Sequence, residues 1–152
     1  MATMENPRKT GPVTLSERVR RGELVAVECP SRGVLKHLTG LWAVLILIAL
    51  REGETLRFSD LRRKATGVSE KMLTQTLQAL EADGIVDRKA YPVVPPHVEY
   101  SLTPLGREAA DQVAALADWV ETRLPKVMQA RRAAEERLGV RSCFLPLAGG
   151  ND

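Results

Sequence analysis

The segment from Leu41 to Leu50 consists almost entirely of apolar side chains. A run of about ten such residues is roughly half of what a membrane-spanning helix requires, so we expect a buried helix and no membrane insertion. A helix that is apolar on every side must be enclosed by other elements. The rest of the chain therefore has to supply helices or strands that surround this segment.

Composition is compatible with that helical core. The chain has 152 residues, which suits one domain with extensions, and only 4% aromatic residues, so Leu, Val, Ile and Ala must fill its interior. The net charge of +3 permits a polyanionic partner without demanding one. Cys29 and Cys143 lack metal-ligand spacing, and no signal peptide is visible. We expect a cytoplasmic protein without a metal or cofactor.

Caps and breakers divide the middle of the chain into short elements. Pro30 suits a first helical turn, while Ser59 and Ser69 are typical helix caps. The predicted order is helix Pro30–Leu38, helix Trp42–Leu50, edge strand Leu56–Phe58, helix Asp60–Ala65, helix Glu70–Ala82, strand Ile85–Tyr91 and strand Val98–Thr103. This order predicts a mainly α (α+β) fold, a winged helix-turn-helix whose wing is the hairpin with a proline-rich tip.

The two ends of the chain are predicted to be extensions of the central domain. Residues 1–28 are expected to form an extension that is partly disordered or a short helix, capped by Thr14 or Ser16. Thr103 and Pro104 start a helix that continues to Leu124, and Pro125 is expected to end or kink it. The predicted domains are 1–28, then 29–124 with the winged helix-turn-helix and a dimerisation helix, then 125–152 with a C-terminal helix and tail.

Helix Glu70–Ala82 has the pattern of a DNA-reading helix. Its predicted inward residues are Met72, Leu73, Leu77 and Leu80, and its predicted outward residues are Lys71, Thr74, Gln75 and Gln78. Gln can pair with adenine, Lys can reach guanine or phosphate, and Thr offers a hydroxyl and a methyl group. Ser69 at the helix start can hold a phosphate. The alternative is that this polar face is simply solvated.

Basic residues flank this helix on both sides in the sequence. On the wing they are Arg88, Lys89 and His97, and ahead of the turn they are Arg57, Arg62, Arg63 and Lys64. Such residues can grip phosphates or the minor groove, although each of them alone is as easily explained as a solvated charge. Because they bracket the proposed reading helix, we predict that they contact DNA.

Several motifs in the chain resemble one known family. They are Cys29-Pro30, Thr39-Gly40-Leu41-Trp42, Arg57-Phe58-Ser59-Asp60-Leu61-Arg62-Arg63, Ser69-Glu70-Lys71-Met72-Leu73, and the block from Tyr91 to Thr103. Together they are similar to the HxlR family of prokaryotic regulators. The resemblance implies a dimeric winged-helix regulator related to MarR-type proteins that controls its own or a neighbouring gene. Leu41, where the family usually has a basic residue, and His97, where it often has Arg, depart from the pattern.

The resemblance also bears on assembly and regulation. It implies N- and C-terminal helices that pack across a two-fold axis. Helix Leu105–Leu124 has more apolar surface than one face of a small domain is expected to cover, and the alternative is a helix packed only on its own core. A dimer would match an inverted-repeat operator. In some family members the cysteine matching Cys29 senses oxidants or electrophiles, which makes such an inducer or a small ligand an expected partner. A buried, inert cysteine is the alternative, and Cys143 is a candidate partner for a disulfide.

Two other functional classes were weighed. An enzyme needs a nucleophile with its base, or paired carboxylates, and the sequence offers neither arrangement. A winged helix that binds proteins and never touches DNA is the stronger alternative, because a fold does not fix a function. We expect a sequence-specific DNA-binding regulator, most simply a repressor, whose affinity falls steeply with salt.

Overall fold

The computed structural model describes residues 11–23, 29–53 and 55–139. It contains six helices and three strands within those ranges. They are α1 (Leu15–Arg20), α2 (Pro30–Thr39), α3 (Leu41–Gly53), β1 (Thr55–Arg57), α4 (Phe58–Lys64), α5 (Glu70–Ala82), β2 (Val86–Tyr91), β3 (His97–Leu102) and α6 (Pro104–Leu138). The predicted winged helix-turn-helix order is confirmed.

Helix α3 lies at the centre of the hydrophobic core, as its apolar sequence predicts. Ile46, Leu47 and Leu50 of α3 are fully buried. They pack in one cluster with side chains of α4, α5, the sheet and α6, among them Leu61, Leu73, Leu77, Leu80, Val86, Tyr100, Leu102 and Ala110. Burial of each such Leu or Ile side chain contributes about 1.5–3 kcal/mol. The core therefore holds the turn between α4 and α5 in a fixed position.

No single described helix has both the length and the apolar character needed to cross a membrane. Helices α2 and α3 pass that test only when they are taken together, across a bend of 72°.

The three strands form one antiparallel sheet in the order β1-β3-β2. Val86 pairs with Leu102 at one end of the hairpin, and Tyr91 pairs with His97 at the other end. Residues 92–96 form the tip, where proline cannot donate to a ladder. Leu102 and Tyr100 face the core. Residues 97 and 99 of β3 therefore lie on the opposite, outer face of the sheet.

Three of the predicted helix caps are confirmed. The Thr14, Ser69 and Thr103 hydroxyls accept from the backbone N–H groups three residues later, at 3.3, 3.1 and 2.9 Å. Ser59 does not cap α4, because that helix already begins at Phe58. The Asp60 carboxylate instead accepts from the backbone N–H of Arg57, at 3.4 Å. Asp60 lies in the first turn of α4, so this bond satisfies the N–H of the N-cap residue from within the helix.

Helix α6 runs from Pro104 to Leu138 and does not end at Pro125, which lies inside it. The buried residues of α6 are small: Gly106, Ala110 and Ala114. A Cβ atom on Gly106 would lie 1.9 Å from the backbone oxygen of Ile85. The first turn of α6 therefore approaches the start of the hairpin so closely that only glycine fits.

Candidate nucleic-acid interface

A tight turn sets the direction of α5. Gly67 has a φ of +93°, which favours glycine, and Val68 is buried beside it. Ser69 then caps α5, and Leu73, Leu77 and Leu80 anchor one side of this helix in the core. The opposite side of α5 is left outside the domain.

The predicted reading residues lie on that outer side. Ser69, Lys71, Thr74, Gln75 and Gln78 are all exposed. Among the described residues, the side chains of Lys71, Thr74, Gln75 and Gln78 take part in no ion pair or hydrogen bond. Their donors and acceptors are available to another molecule.

The prediction that Met72 points into the core is wrong. Its side chain is 42% exposed. With 3.6 residues per turn, Met72 is rotated by about 100° from the buried stripe at Leu73, Leu77 and Leu80. It lines instead a groove of about 480 Å³ between α5 and the start of α3, next to Trp42. Leu41, one of the departures from the family pattern, is 65% exposed at the same groove.

Arg88 and Lys89 lie on opposite faces of the wing, although the sequence places them together. Arg88 pairs with Tyr100 in the sheet and shares with Thr74 and Gln78 a notch of about 310 Å³ between α5 and β2. Lys89 pairs with Glu99 on the outer face. Only Arg88 therefore lies beside the outer side of α5.

His97 is held by a carboxylate that sequence reasoning did not single out. Its Nε2 lies 2.6 Å from Oε1 of Glu99, and its side chain is only 17% exposed. The Tyr91 hydroxyl donates to Oε2 of the same carboxylate at 3.1 Å. The bond to His97 does most to lower the pKa of Glu99; partial burial opposes that effect, and the Tyr91 bond adds to it. A strand pattern with alternating faces was the available signal for this cluster.

The arginines ahead of the turn are exposed, and the two in α4 are already paired. Arg62 lies 2.8 Å from Glu70, and Arg63 pairs with Asp60. Arg57 lies directly opposite Glu99 in the sheet. Exposed ion pairs contribute about 0–1 kcal/mol, so a phosphate can compete for these guanidinium groups at little cost.

Cys29 occupies the N-cap position of α2 and is partly exposed. The backbone N–H of Ser31 does most to lower the pKa of the Cys29 thiol; desolvation opposes it, and the Ser31 side chain, the Arg32 backbone and the charge of Arg18 add to the lowering. Cys29 is therefore not a fully buried cysteine, and its thiol is accessible in part. Cys143 lies outside the described residues.

His37 joins two helices of this region. Its Nδ1 lies 2.6 Å from Oδ2 of Asp83, the residue that follows α5. This contact ties the end of α5 to α2.

In the part of the chain that the structure describes, no group of three or more His, Cys, Asp or Glu side chains is placed to hold a metal ion.

Comparisons with known proteins identify the family. The model of the HxlR-like helix-turn-helix family matches residues 37–128. The HTH-type transcriptional regulator YtfH of Escherichia coli (strain K12) is 66% identical over 119 residues, which cover 78% of this chain and 94% of that protein. The predicted family resemblance is confirmed.

Solved structures agree with this assignment. The transcriptional regulator YtfH from Salmonella typhimurium superposes with a TM-score of 0.68 at 68% identity, over 70% of this chain and 95% of that one. The reduced form of the redox regulator HypR gives a TM-score of 0.60 at 36% identity, over 66% and 98%. This chain belongs to the HxlR-like helix-turn-helix family, whose members are winged-helix transcriptional regulators.

Proposed function

We propose that this DNA-binding transcriptional regulator is a homodimeric, cytoplasmic repressor that reads an inverted-repeat operator with the outer side of α5. The observation that carries the proposal is the exposed, unpaired set of polar side chains on that helix. Thr74 and Gln78 share the notch with Arg88, and Arg62 of α4 pairs with Glu70 in the first turn of α5. A polar surface flanked by cations matches a major groove flanked by phosphates.

Base recognition falls to the middle of α5. Gln75 and Gln78 can each present an amide to adenine, Lys71 can reach guanine acceptors, and Thr74 offers a methyl group to thymine. Ser69 adds free N–H groups at the helix start for a phosphate. These four side chains would fix which base pairs are accepted, whereas the cap would help to fix the register on the duplex.

Basic residues of β1, α4 and the wing would fix the position of the protein on the duplex. Arg88 is the best placed of them, because its notch is lined by two of the reading residues. Arg57, Arg62 and Arg63 lie on the β1–α4 side, and Lys89 and His97 lie on the outer face of the wing. Their contacts with phosphates carry no sequence information, but they dominate the salt dependence of binding.

The second half of α6 supports the dimer. Leu116, Trp119, Val120 and Leu124 are between 40% and 57% exposed and recur at helical spacing. A continuous apolar stripe of this kind is typical of a protein interface. A two-fold axis along α6 would place two copies of α5 about one DNA turn, or ~34 Å, apart.

Cys29 supports control by an oxidant or an electrophile. A partly exposed thiol with a lowered pKa is more reactive than an ordinary cysteine at neutral pH. HypR, with solved oxidised and reduced forms, and YodB, with solved reduced and diamide-treated forms, are similar in structure to this chain. Modification of Cys29 at the start of α2 would alter DNA binding from outside the reading helix.

A binding titration separates this proposal from a protein-binding winged helix. The full chain is titrated against duplex DNA from upstream of its own gene and against a shuffled duplex, at several salt concentrations. We expect tighter binding to the upstream duplex, with an affinity that falls steeply as salt rises. Equal and weak binding to both duplexes at every salt concentration would contradict the proposal.

A further inference from the structure

The wing (Val86–Leu102) is closed at its tip by two aromatic rings. Tyr91 ends β2 and His97 begins β3, and they are directly opposite each other. Their ring centroids are 5.0 Å apart in an edge-to-face arrangement. This pair is the last rung before residues 92–96, so its geometry sets the direction of the tip.

Glu99 binds both rings through a single carboxylate. One of its oxygens is 2.6 Å from His97 Nε2, and the other accepts from the Tyr91 hydroxyl at 3.1 Å. The Glu99 side chain is 26% exposed. Partial shielding from water makes such bonds stronger than exposed ones. The carboxylate therefore crosslinks the two strands from the outer face of the sheet.

Two cations on the outer face of the sheet lie beside the same carboxylate. Lys89 lies opposite Glu99 on β2, with its Nζ 5.0 Å from the Tyr91 ring centroid. Arg57 lies opposite Glu99 on β1. The tip itself consists of proline and valine and has no charge. Ionic contacts of this wing with phosphates must therefore come from its strands, and on their outer face Glu99 lies between Lys89 and Arg57.

We propose that Glu99 is a positioning residue that holds the wing and its cations in the geometry that grips DNA. The role rests on the proposed DNA-binding function. This role predicts that removal of the Glu99 carboxylate weakens DNA binding, whereas removal of a carboxylate near DNA ordinarily strengthens it. The sign of the effect therefore separates positioning from plain charge repulsion.

The test compares Glu99→Gln with Asp87→Asn. Both changes remove one negative charge from the outer face of the sheet, and the Asp87 side chain makes no hydrogen bond or ion pair within the described ranges. We expect Glu99→Gln to bind the upstream duplex about tenfold more weakly than wild type, and its plot of log affinity against log salt to be shallower by about 1. Asp87→Asn should bind as tightly as wild type or slightly more tightly.

A measurement without DNA tests whether the bonds of Glu99 to Tyr91 and His97 hold the tip in place. Amide hydrogen exchange is measured in the wing, where the Val93 N–H donates to the Tyr91 carbonyl at 2.9 Å. Faster exchange at the tip in Glu99→Gln, with unchanged exchange in α3, is the expected result. Tyr91→Phe removes the bond from the Tyr91 hydroxyl outright, should also speed exchange at the tip, and serves if Glu99→Gln does not fold.

The outcomes separate the two claims. If wild type binds no duplex specifically, the proposed function fails, and this role fails with it. If wild type binds and Glu99→Gln binds as tightly as Asp87→Asn, the role of Glu99 alone is overturned. Unchanged exchange at the tip in both Glu99→Gln and Tyr91→Phe would overturn it as well.

Discussion

Arg88 of β2 lines the same notch as Gln78 of α5, whereas its neighbour Lys89 lies on the other face of the wing. Because Arg88 lies beside α5, it would contact DNA phosphates next to the bases that α5 is proposed to read. Lys89 lies on the other face, so its distance from the DNA backbone depends on the orientation of the wing. The two adjacent cations therefore differ in what they contribute to binding.

Arg88→Ala should weaken binding to specific and shuffled duplexes alike, by about tenfold, because a phosphate contact carries no sequence information. Its salt slope should be smaller by about 1. Fluorescence anisotropy titrations measure both values. Arg107→Ala, an exposed arginine at the start of α6, is the charge-matched control. Equal losses in the two variants would show that net charge alone explains the effect.

Gly106→Ala should destabilise the domain by about 1–3 kcal/mol or more, because the new Cβ atom would meet the Ile85 carbonyl oxygen at 1.9 Å. Urea unfolding followed by circular dichroism measures the change. Gly33→Ala in α2 is the control, since that position opens onto free space. It should be neutral or stabilising by about 0.5–1 kcal/mol. Comparable stability of the two variants would contradict the close packing of α6 on the hairpin.

Cys29 should react with iodoacetamide at lower pH than an ordinary cysteine, because the fold favours its thiolate. A Cys143→Ser background leaves Cys29 as the single thiol in the chain. The rate is followed against pH for the folded protein and again in denaturant, where the ordinary pKa returns. The midpoint should move upward on unfolding. Coincident pH profiles would show that the fold does not activate this thiol.

Glu99 should also give the domain a pH-dependent stability. Its pKa is lowered in the folded state, so its contribution is complete above the unfolded value of about 4.5 and is lost as the pH falls through the folded value. The thermal midpoint of wild type should exceed that of Glu99→Gln at pH 7, and the gap should close in acid. A gap that is constant from neutral to acid pH would contradict the lowered pKa.

Trp119→Glu should convert the dimer to a monomer and abolish tight operator binding, because it places a charge in the apolar stripe of α6. Light scattering coupled to size-exclusion chromatography reports the mass. Gln129→Glu, which lies on α6 away from that stripe, should remain dimeric. A wild-type protein that elutes as a monomer at micromolar concentration would contradict the two-fold arrangement.

The sequence predicts the order of elements well because local signals agree with one another. Ser69 and Asp83 bound α5 at the predicted residues, and Thr103 with Pro104 starts α6 as expected. Helix α4 begins earlier than predicted, since Asp60 can satisfy its first turn from within the helix. Such cap choices depend on side-chain reach, which residue spacing alone does not determine.

Placement of the candidate site is harder to predict than the fold. The outward residues of α5 follow from helical periodicity, but Met72 lies at the edge of the buried stripe, where periodicity cannot decide. The partners of His97 depend on strand pairing, which places Tyr91 and Glu99 beside it only after the hairpin has formed. Strand alternation places His97 and Glu99 on one face, but it does not identify their partner on the other strand, and the cluster around Glu99 was missed for that reason.

The most direct test of the account is the base preference of the outer side of α5. The upstream duplex and single-base variants of its half-sites are titrated with wild type, with Gln75→Ala and Gln78→Ala, and with Gln129→Ala as the matched amide control. We predict that each reading-helix variant loses discrimination at particular base pairs, by about 1–3 kcal/mol, while it keeps nonspecific binding. An unchanged base preference in both variants would contradict the assignment of α5 as the reading helix.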